Sequence, residues 1–147
     1  MLLTRRALAT YAVAGLAASP ARADDLIELQ WRRRIVLVFA PTPEDTRLID
    51  QRAIFRNALA GFEERDAVGF ELSDGVVRSM PDRSPSGFAP AGVRRVARAR
   101  ARGFEVVLVG KDGGVKRRWD APVPAAAVFA AIDAMPMRQR EIAEERR

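Results

Sequence analysis

The residues that could do chemistry in this chain are few, because its 147 residues include no cysteine and no histidine. Thiol catalysis, disulfide exchange and Ser-His-Asp hydrolysis are therefore excluded, together with zinc sites of the usual ligand types. Carboxylates, arginines, a few hydroxyls and only two lysines, Lys111 and Lys116, remain as possible acids, bases and ligands. This set predicts no cofactor and no metal site.

One group of candidate residues follows a predicted strand, Arg34 to Ala40. Thr42 is predicted to cap the next helix, with Asp45 three residues later completing a pair typical of helix amino termini. As an alternative, Glu44 or Asp45 could act with Lys111 as an acid-base site, if a cleft raised a carboxylate pKa. Capping is favoured, because these carboxylates already supply the negative charge that a helix amino terminus attracts.

A second candidate surface is an arginine-rich helix predicted from Gly92 to Arg102. Its basic residues could bind an anionic polymer, although a solvated helix face is the favoured interpretation. No aromatic residues are interleaved for base stacking, so a nucleic-acid partner is not predicted. The candidate residues of this surface are Arg94, Arg95, Arg98 and Arg102.

The third candidate is the segment from Phe104 to Trp119, which predicts a strand, a glycine turn and a second strand. FEVVLV is a short apolar run rich in β-branched residues, as in a strand buried on both faces. Consecutive glycines could also cradle a phosphate with their N–H groups, but the P-loop pattern is missing and a hairpin turn accounts for every residue. The turn consists of Gly110, Lys111, Asp112, Gly113 and Gly114.

The elements that must position these residues alternate in type along the chain. A strand at Ala67 to Leu72 follows the first helix, and Ser73 to Ala91 has the density of Gly, Pro, Ser and Asp typical of a loop. After the hairpin, Pro124 starts a helix that Pro136 interrupts. The order β, α, β, loop, α, β, β, α predicts an α/β thioredoxin-like fold, with a central mixed sheet of about four strands flanked by helices.

Three segments of the sequence resemble a known family: WRRRIVLVFAP, GFEVVLVGKDGGVK and IDAMPMRQRE. They resemble the P-DUDES family, a bacterial domain of unknown function related to repeated domains of vertebrate extracellular-matrix proteins, the DUDES group. The resemblance covers Leu26 to Glu141, and its specific parts are Gly110 to Lys116 and Asp133 to Glu141. It implies a thioredoxin or peroxiredoxin-like fold and an exported protein, and it brings no catalytic residues. Its further motif positions are Pro136, Arg138 and Arg140.

The amino terminus has the pattern of an export signal. Arg5 and Arg6 precede an apolar core from Ala7 to Leu16, and Ala21-Arg22-Ala23 has the spacing of a cleavage site. The core is too short to span a bilayer, which takes roughly 20 residues. We therefore expect a signal peptide over residues 1–23, a single domain over 24–141 and a charged tail over 142–147, in a periplasmic or secreted protein without a transmembrane segment after cleavage.

These observations favour an exported, non-catalytic module that binds an unknown protein or envelope component. Two alternatives stay open: an enzyme that uses carboxylates at the first strand–helix junction, and a basic binder of an anionic polymer through the Arg94–Arg102 helix.

The exported protein is expected to begin at Asp24, because the cleavage site immediately precedes it. Intact mass spectrometry of the periplasmic or secreted fraction measures this directly. A membrane-bound chain that retains residues 1–23 would contradict the assignment of a cleaved signal.

Overall fold

The computed structural model describes residues 25–100 and 103–147, so the signal-peptide segment and Arg102 lie outside the described residues. The described residues form an α/β unit of strands and helices. In chain order these are a 3₁₀ turn (Asp25–Leu29), β1 (Arg34–Phe39), α1 (Thr46–Asn57), α2 (Leu59–Glu64), β2 (Ala67–Ser73), β3 (Val76–Met80), α3 (Pro90–Ala97), β4 (Glu105–Val109), β5 (Val115–Trp119), α4 (Ala125–Asp133) and α5 (Pro136–Glu145). None of these helices is long and apolar enough to cross a membrane.

The strands form one five-stranded mixed sheet in the order β3-β2-β1-β4-β5. The central strand β1 runs parallel to β2 and antiparallel to β4. Every residue of β1 and β4 is buried, which confirms the interpretation of FEVVLV as a strand covered on both faces. The sheet is therefore covered by an apolar core on each face, and β1 is its central strand.

Each face of the sheet carries its own apolar core. One face packs against α1, α2 and α4, where Phe55 stacks on Phe62 with ring centroids 4.3 Å apart and Phe62 meets Phe129 edge-on at 4.7 Å. The other face packs against α3 and the 3₁₀ turn through residues such as Leu26 and Val93. Alternate residues of each central strand supply the two cores, as the two-residue period of a strand requires.

The segment from Ser73 to Ala91, predicted as a loop, contains the strand β3, and the predicted four-stranded sheet has five strands. Asp74 and Gly75 adopt positive φ angles of 55° and 69° and turn the chain back on β2. The strand is five residues long between Gly75 and Pro81. Pairing with β2 stabilises this strand. The density of turn-forming residues in the sequence does not report such pairing, so the segment was predicted as a loop.

Two predicted helices are shorter than expected. The first one breaks at Ala58 into α1 and α2, so Gly61 lies within α2 and does not end a helix. The arginine-rich helix α3 ends at Ala97, and Arg98 takes the left-handed conformation with φ 48°. Arg118 of β5 donates a hydrogen bond to the Ala97 carbonyl. A strand distant in sequence therefore satisfies a carbonyl at the end of α3, where the sequence predicted that the helix continues.

The predicted hairpin between β4 and β5 is confirmed. Gly113 holds a φ of 82°, a conformation that favours glycine. The N–H groups of Gly110 and Gly113 donate within the turn, at 2.9 and 3.0 Å, and the Gly114 N–H donates to the Asp112 carboxylate at 2.9 Å. These three N–H groups are therefore engaged by the turn itself, which argues against the phosphate cradle.

Candidate functional site

The sheet has two ends at which candidate residues collect. We call the end where β1 begins the lower edge, and the end where β1 finishes the upper edge. Because β4 is antiparallel to β1, Lys111 follows β4 at the lower edge, whereas Asp45 follows β1 at the upper edge. The structure therefore does not bring Glu44 or Asp45 together with Lys111, and that acid-base combination is not assembled.

At the upper edge, the cap of α1 is Asp45 and not Thr42 as predicted. The Asp45 carboxylate accepts a hydrogen bond from the Arg47 N–H at 3.0 Å, in the geometry of a helix N-cap. Thr42 is exposed and its carbonyl accepts from the Asp45 N–H at 3.2 Å, in the turn that precedes the helix. Asp is at least as favourable as Thr at an N-cap, so residue type alone does not distinguish Asp45 from Thr42.

Asp45 is also the acceptor of a side-chain ion pair. The Arg47 guanidinium donates to it through Nε at 3.0 Å and Nη2 at 2.6 Å. The Arg47 side-chain hydrogen bond holds the pKa of the Asp45 carboxyl below its ordinary value. A carboxylate held ionised in this way is a poor general base at neutral pH. Glu44 is exposed beside it.

The upper edge also carries a crevice of about 540 Å³, open to solvent between the ends of β1 and β2 and the start of α3. Phe39 and Pro41 form part of its wall, and the Arg94 guanidinium lies 5.6 Å from the centroid of the Phe39 ring. Asp74 supplies a carboxylate on the opposite side. Of the predicted basic surface, Arg94, Arg95 and Arg98 are exposed, but the early end of α3 prevents them from forming one helical stripe.

Below the upper edge lies a buried ion pair that the sequence did not reveal. Glu71 on β2 is fully buried, and Arg52 on α1 donates to its two oxygens at 2.8 and 3.0 Å. Arg83 approaches the same carboxylate at 3.5 Å. Loss of Arg52 would leave a buried charge poorly compensated, which typically costs about 3–5 kcal/mol. Neither residue stands out in the sequence, since Glu71 sits within a strand pattern and Arg52 within a helical one.

At the lower edge, the three segments that resemble P-DUDES meet in one charged cluster. Arg34 on β1 is fully buried, and its two terminal nitrogens donate to the Glu141 carboxylate at 3.2 and 3.1 Å. Lys111 donates to Glu141 at 2.7 Å and to Asp66 at 2.9 Å. One carboxylate on α5 therefore ties β1 and the glycine turn together. We call these residues, Arg34, Asp66, Lys111 and Glu141, the lower-edge cluster.

The protonation behaviour of Glu141 follows from this geometry. Burial on its own would raise the pKa of Glu141, but the hydrogen bonds from Arg34 and Lys111 outweigh it, and the pKa lies below the ordinary value of 4.5. Glu141 therefore stays ionised at neutral pH, where both cations need it.

A neighbouring cluster fixes α5 further along its length. Arg138 is the most buried charged residue of α5. Its guanidinium lies 3.5 Å from the carboxylates of Asp133 and Glu141 and 3.7 Å from that of Glu64. Arg65 forms a two-pronged pair with Asp133 at 2.9 and 3.0 Å, and these hydrogen bonds hold the pKa of Asp133 below its ordinary value. The motif positions on α5 thus divide by role: Pro136 opens the helix, Arg138 pairs inside the protein, and Arg140 is exposed.

A crevice of about 260 Å³ adjoins the lower-edge cluster, between the glycine turn and the Met135-Pro136-Met137 segment. The cations that line it already have carboxylate partners, since Lys116 also donates to Asp112 at 2.7 Å. The crevice therefore offers little uncompensated charge to a ligand. The arrangement of the family motifs is best explained as a structural clamp that holds α5 on the sheet.

Comparison with solved structures identifies the class of fold. Residues covering 78% of this chain superpose on 79% of a Plasmodium yoelii thioredoxin peroxidase I with a TM-score of 0.53 and 16% identity. A reduced 2-Cys peroxiredoxin from Plasmodium vivax gives the same TM-score, 0.53, with 12% identity over 78% of this chain and 84% of that one. At these identities the likeness establishes the fold alone, and it confirms the predicted α/β thioredoxin-like class.

Sequence comparison then identifies the family. The family described as a domain of unknown function, DUF4174, matches residues 25–141, and the chain belongs to it. A zebrafish (Danio rerio) relative, coiled-coil domain-containing protein 80, is 27% identical over 134 residues. That match covers 80% of this chain and 16% of the relative, so this chain corresponds to a small part of the larger protein. The resemblance to the P-DUDES family is thereby confirmed.

The reassigned helix cap gives a direct test. Asp45→Ala is expected to lower the free energy of unfolding by about 1 kcal/mol, because the first turn of α1 loses its acceptor. Thr42→Ala is the matched control and is expected to change it by less than about 0.5 kcal/mol, as at an ordinary surface position. Urea unfolding curves measure both variants, and the opposite ranking would restore Thr42 as the cap.

The lower-edge cluster predicts a pH-dependent stability. A carboxyl whose pKa is lowered in the folded state stabilises it above the unfolded pKa, and this stabilisation is lost as the pH falls through the folded pKa. At neutral pH, Glu141→Gln is expected to destabilise the protein by about 1–3 kcal/mol, since Arg34 stays buried without a charged partner.

Urea unfolding at several pH values from about 7 down to about 3 measures this difference. The gap between wild type and Glu141→Gln is expected to shrink below the ordinary pKa of 4.5. Glu144→Gln, at an exposed position of the same helix, is the control and is expected to match wild type at neutral pH. A gap that stays constant down to the lowest pH would show that Glu141 acts by packing and not by charge.

Proposed function

We propose that this protein is an exported, non-catalytic thioredoxin-fold module that binds a protein or another component of the cell envelope. The observation that carries the proposal is the state of the upper edge. In redox thioredoxin folds the reaction centre is a cysteine at the end of the first strand, at the helix amino terminus. Here Asp45 occupies that terminus and is itself neutralised by Arg47, and the chain has no sulfur nucleophile to place there.

The surroundings of the upper edge support the same proposal. Leu48, in the first turn of α1, is fully buried and contributes to the core. Of the candidate residues at this edge, Thr42 and Glu44 are exposed, and both belong to the turn before the helix. One form of the enzyme alternative pairs these carboxylates with Lys111, and Lys111 is held at the lower edge by Asp66 and Glu141.

Export is part of the proposal and stands on the amino-terminal pattern of Arg5, Arg6, an apolar core and Ala21-Arg22-Ala23. The kinship with domains of vertebrate extracellular-matrix proteins supports a binding role outside the cytoplasm.

Two measurements test the proposal together. The purified protein is expected to show no turnover of hydrogen peroxide with a thiol reductant and no reduction of insulin, because it lacks a thiolate. In cells, Glu44→Gln/Asp45→Asn is expected to remain folded, to keep the crosslinked partners of the wild type and to complement a deletion strain.

The decisive contrary result would be a Glu44→Gln/Asp45→Asn protein that is folded and keeps its partners but fails to complement. A catalytic carboxylate has no amide substitute, so that outcome would favour the enzyme alternative. Arg56→Gln, at an exposed position of α1, serves as a control for nonspecific effects of surface substitution.

A further inference from the structure

The two outer strands of the sheet, β3 and β5, differ in how their outer main-chain groups are covered. The outer side of β3 is covered by the loop that follows it. The Ser79 N–H donates to the Ser84 carbonyl at 2.8 Å, and the Ser86 N–H donates to the Val77 carbonyl at 3.2 Å. Arg78 and Pro85 form an isolated antiparallel bridge in the same place. The main-chain groups of this edge are therefore satisfied within the chain.

The other outer strand, β5, has no such cover. Within residues 25–100 and 103–147, Val115–Trp119 pairs only with β4, on its inner side. The register of this pairing shifts between Leu108 and Val109, and it is regular from Arg117 to Trp119. The regular part presents main-chain donors and acceptors to any extended segment that can pair with it.

The charge of β5 restricts which segment that can be. Its centre consists of Lys116, Arg117 and Arg118, and the strand contains no acidic residue. Lys116 is paired with Asp112 and Arg118 with Glu105, whereas Arg117 is exposed with its guanidinium 5.5 Å from the centroid of the Trp119 ring. A second copy of β5 would place cations opposite cations, which is unfavourable. An acidic side chain opposite Arg117 would instead form an opposite-charge pair.

A groove runs beside this edge, between β5 and α4. Its volume is about 540 Å³, and Lys116 and Arg117 form one wall. Small side chains of α4 line the other side, with the Met135-Pro136 segment at one end: Ala127, Ala130, Ala131 and Ala134. We call this feature the alanine groove. A strand added to β5 would direct every second side chain to this face of the sheet, where short alanines leave room for it.

We propose that the open edge of β5 is a docking site for an extended acidic segment of a partner protein, which adds to the sheet as a further strand and places alternate acidic side chains opposite Arg117, on the face of the alanine groove. The inference rests on the proposed function, because it specifies the surface and the chemistry of the partner that the binding module would use.

Synthetic peptides provide the test. The purified Trp31→Phe protein contains Trp119 as its only tryptophan, because the chain has two. A capped peptide of alternating glutamate and valine is expected to change the fluorescence of Trp119 in a saturable manner, and binding is expected to weaken with added salt. A peptide of alternating lysine and valine is the matched control and is expected not to bind.

Variants of the protein locate the binding. Arg117→Glu is expected to weaken the acidic peptide by about tenfold, because an attractive cross-strand pair becomes a repulsive one. Ala130→Glu, at an exposed position of the groove, is expected to weaken it as well through charge repulsion. Arg56→Glu makes the same change of charge on α1, away from β5, and is expected to bind as the parent does. Thermal melts of each variant show that it is folded.

Two copies of the acidic peptide, N-methylated on alternate sets of residues, test strand pairing itself. At least one of them is expected to lose binding, since one set must donate to β5. The proposal is overturned if the acidic and basic peptides bind alike or neither binds, if Arg117→Glu and Arg56→Glu have equal effects, or if both N-methylated peptides bind normally. The binding-module proposal would survive any of these results, because it depends on the partner crosslinks and the complementation assay.

Discussion

The fold depends on the burial of one guanidinium. Arg34 begins the central strand with its side chain fully buried, and a buried cation is tolerated only when a carboxylate and further hydrogen-bond acceptors meet it. Glu141 supplies the carboxylate from 107 residues away, and the Arg65 carbonyl accepts a further hydrogen bond at 2.8 Å. Helix α5 must therefore dock against the lower edge for β1 to occupy the middle of the sheet. Lys111 shares the same carboxylate, which extends the constraint to the glycine turn.

This constraint gives the family motifs a physical meaning. Charged residues of these motifs pair with one another or with nearby carboxylates: Asp112 with Lys116, Lys111 with Glu141, and Arg138 with several carboxylates. Such a cluster is stable because every buried cation has a partner, and it contributes specificity of docking more than net stability. At the upper edge, in contrast, the start of α1 is held by a local cap, in which Asp45 accepts from the Arg47 N–H and pairs with the Arg47 guanidinium.

The two outer strands of the sheet also differ from each other. The loop after β3 covers that strand with main-chain hydrogen bonds, whereas β5, within the described residues, carries cationic side chains and an irregularity in its pairing with β4. Charged residues on an open edge oppose self-association without blocking an oppositely charged strand. The charge of β5 therefore selects among the strands that could pair with this edge.

Local features of the chain are enough to predict the fold class, the hairpin and the exclusion of thiol chemistry. These features are a β-branched run, a glycine that takes positive φ, and the absence of cysteine. The sequence could not place β3, whose stability comes from pairing with β2, or the end of α3, where Arg118 reaches across from β5. The N-cap is Asp45 and not the predicted Thr42. The sequence could not decide between them, because both residue types are favourable at an N-cap. Only the tertiary structure could bring Arg34, Lys111 and Glu141 into contact, since the energy of a buried ion pair depends on distance in space and leaves no local pattern in the chain.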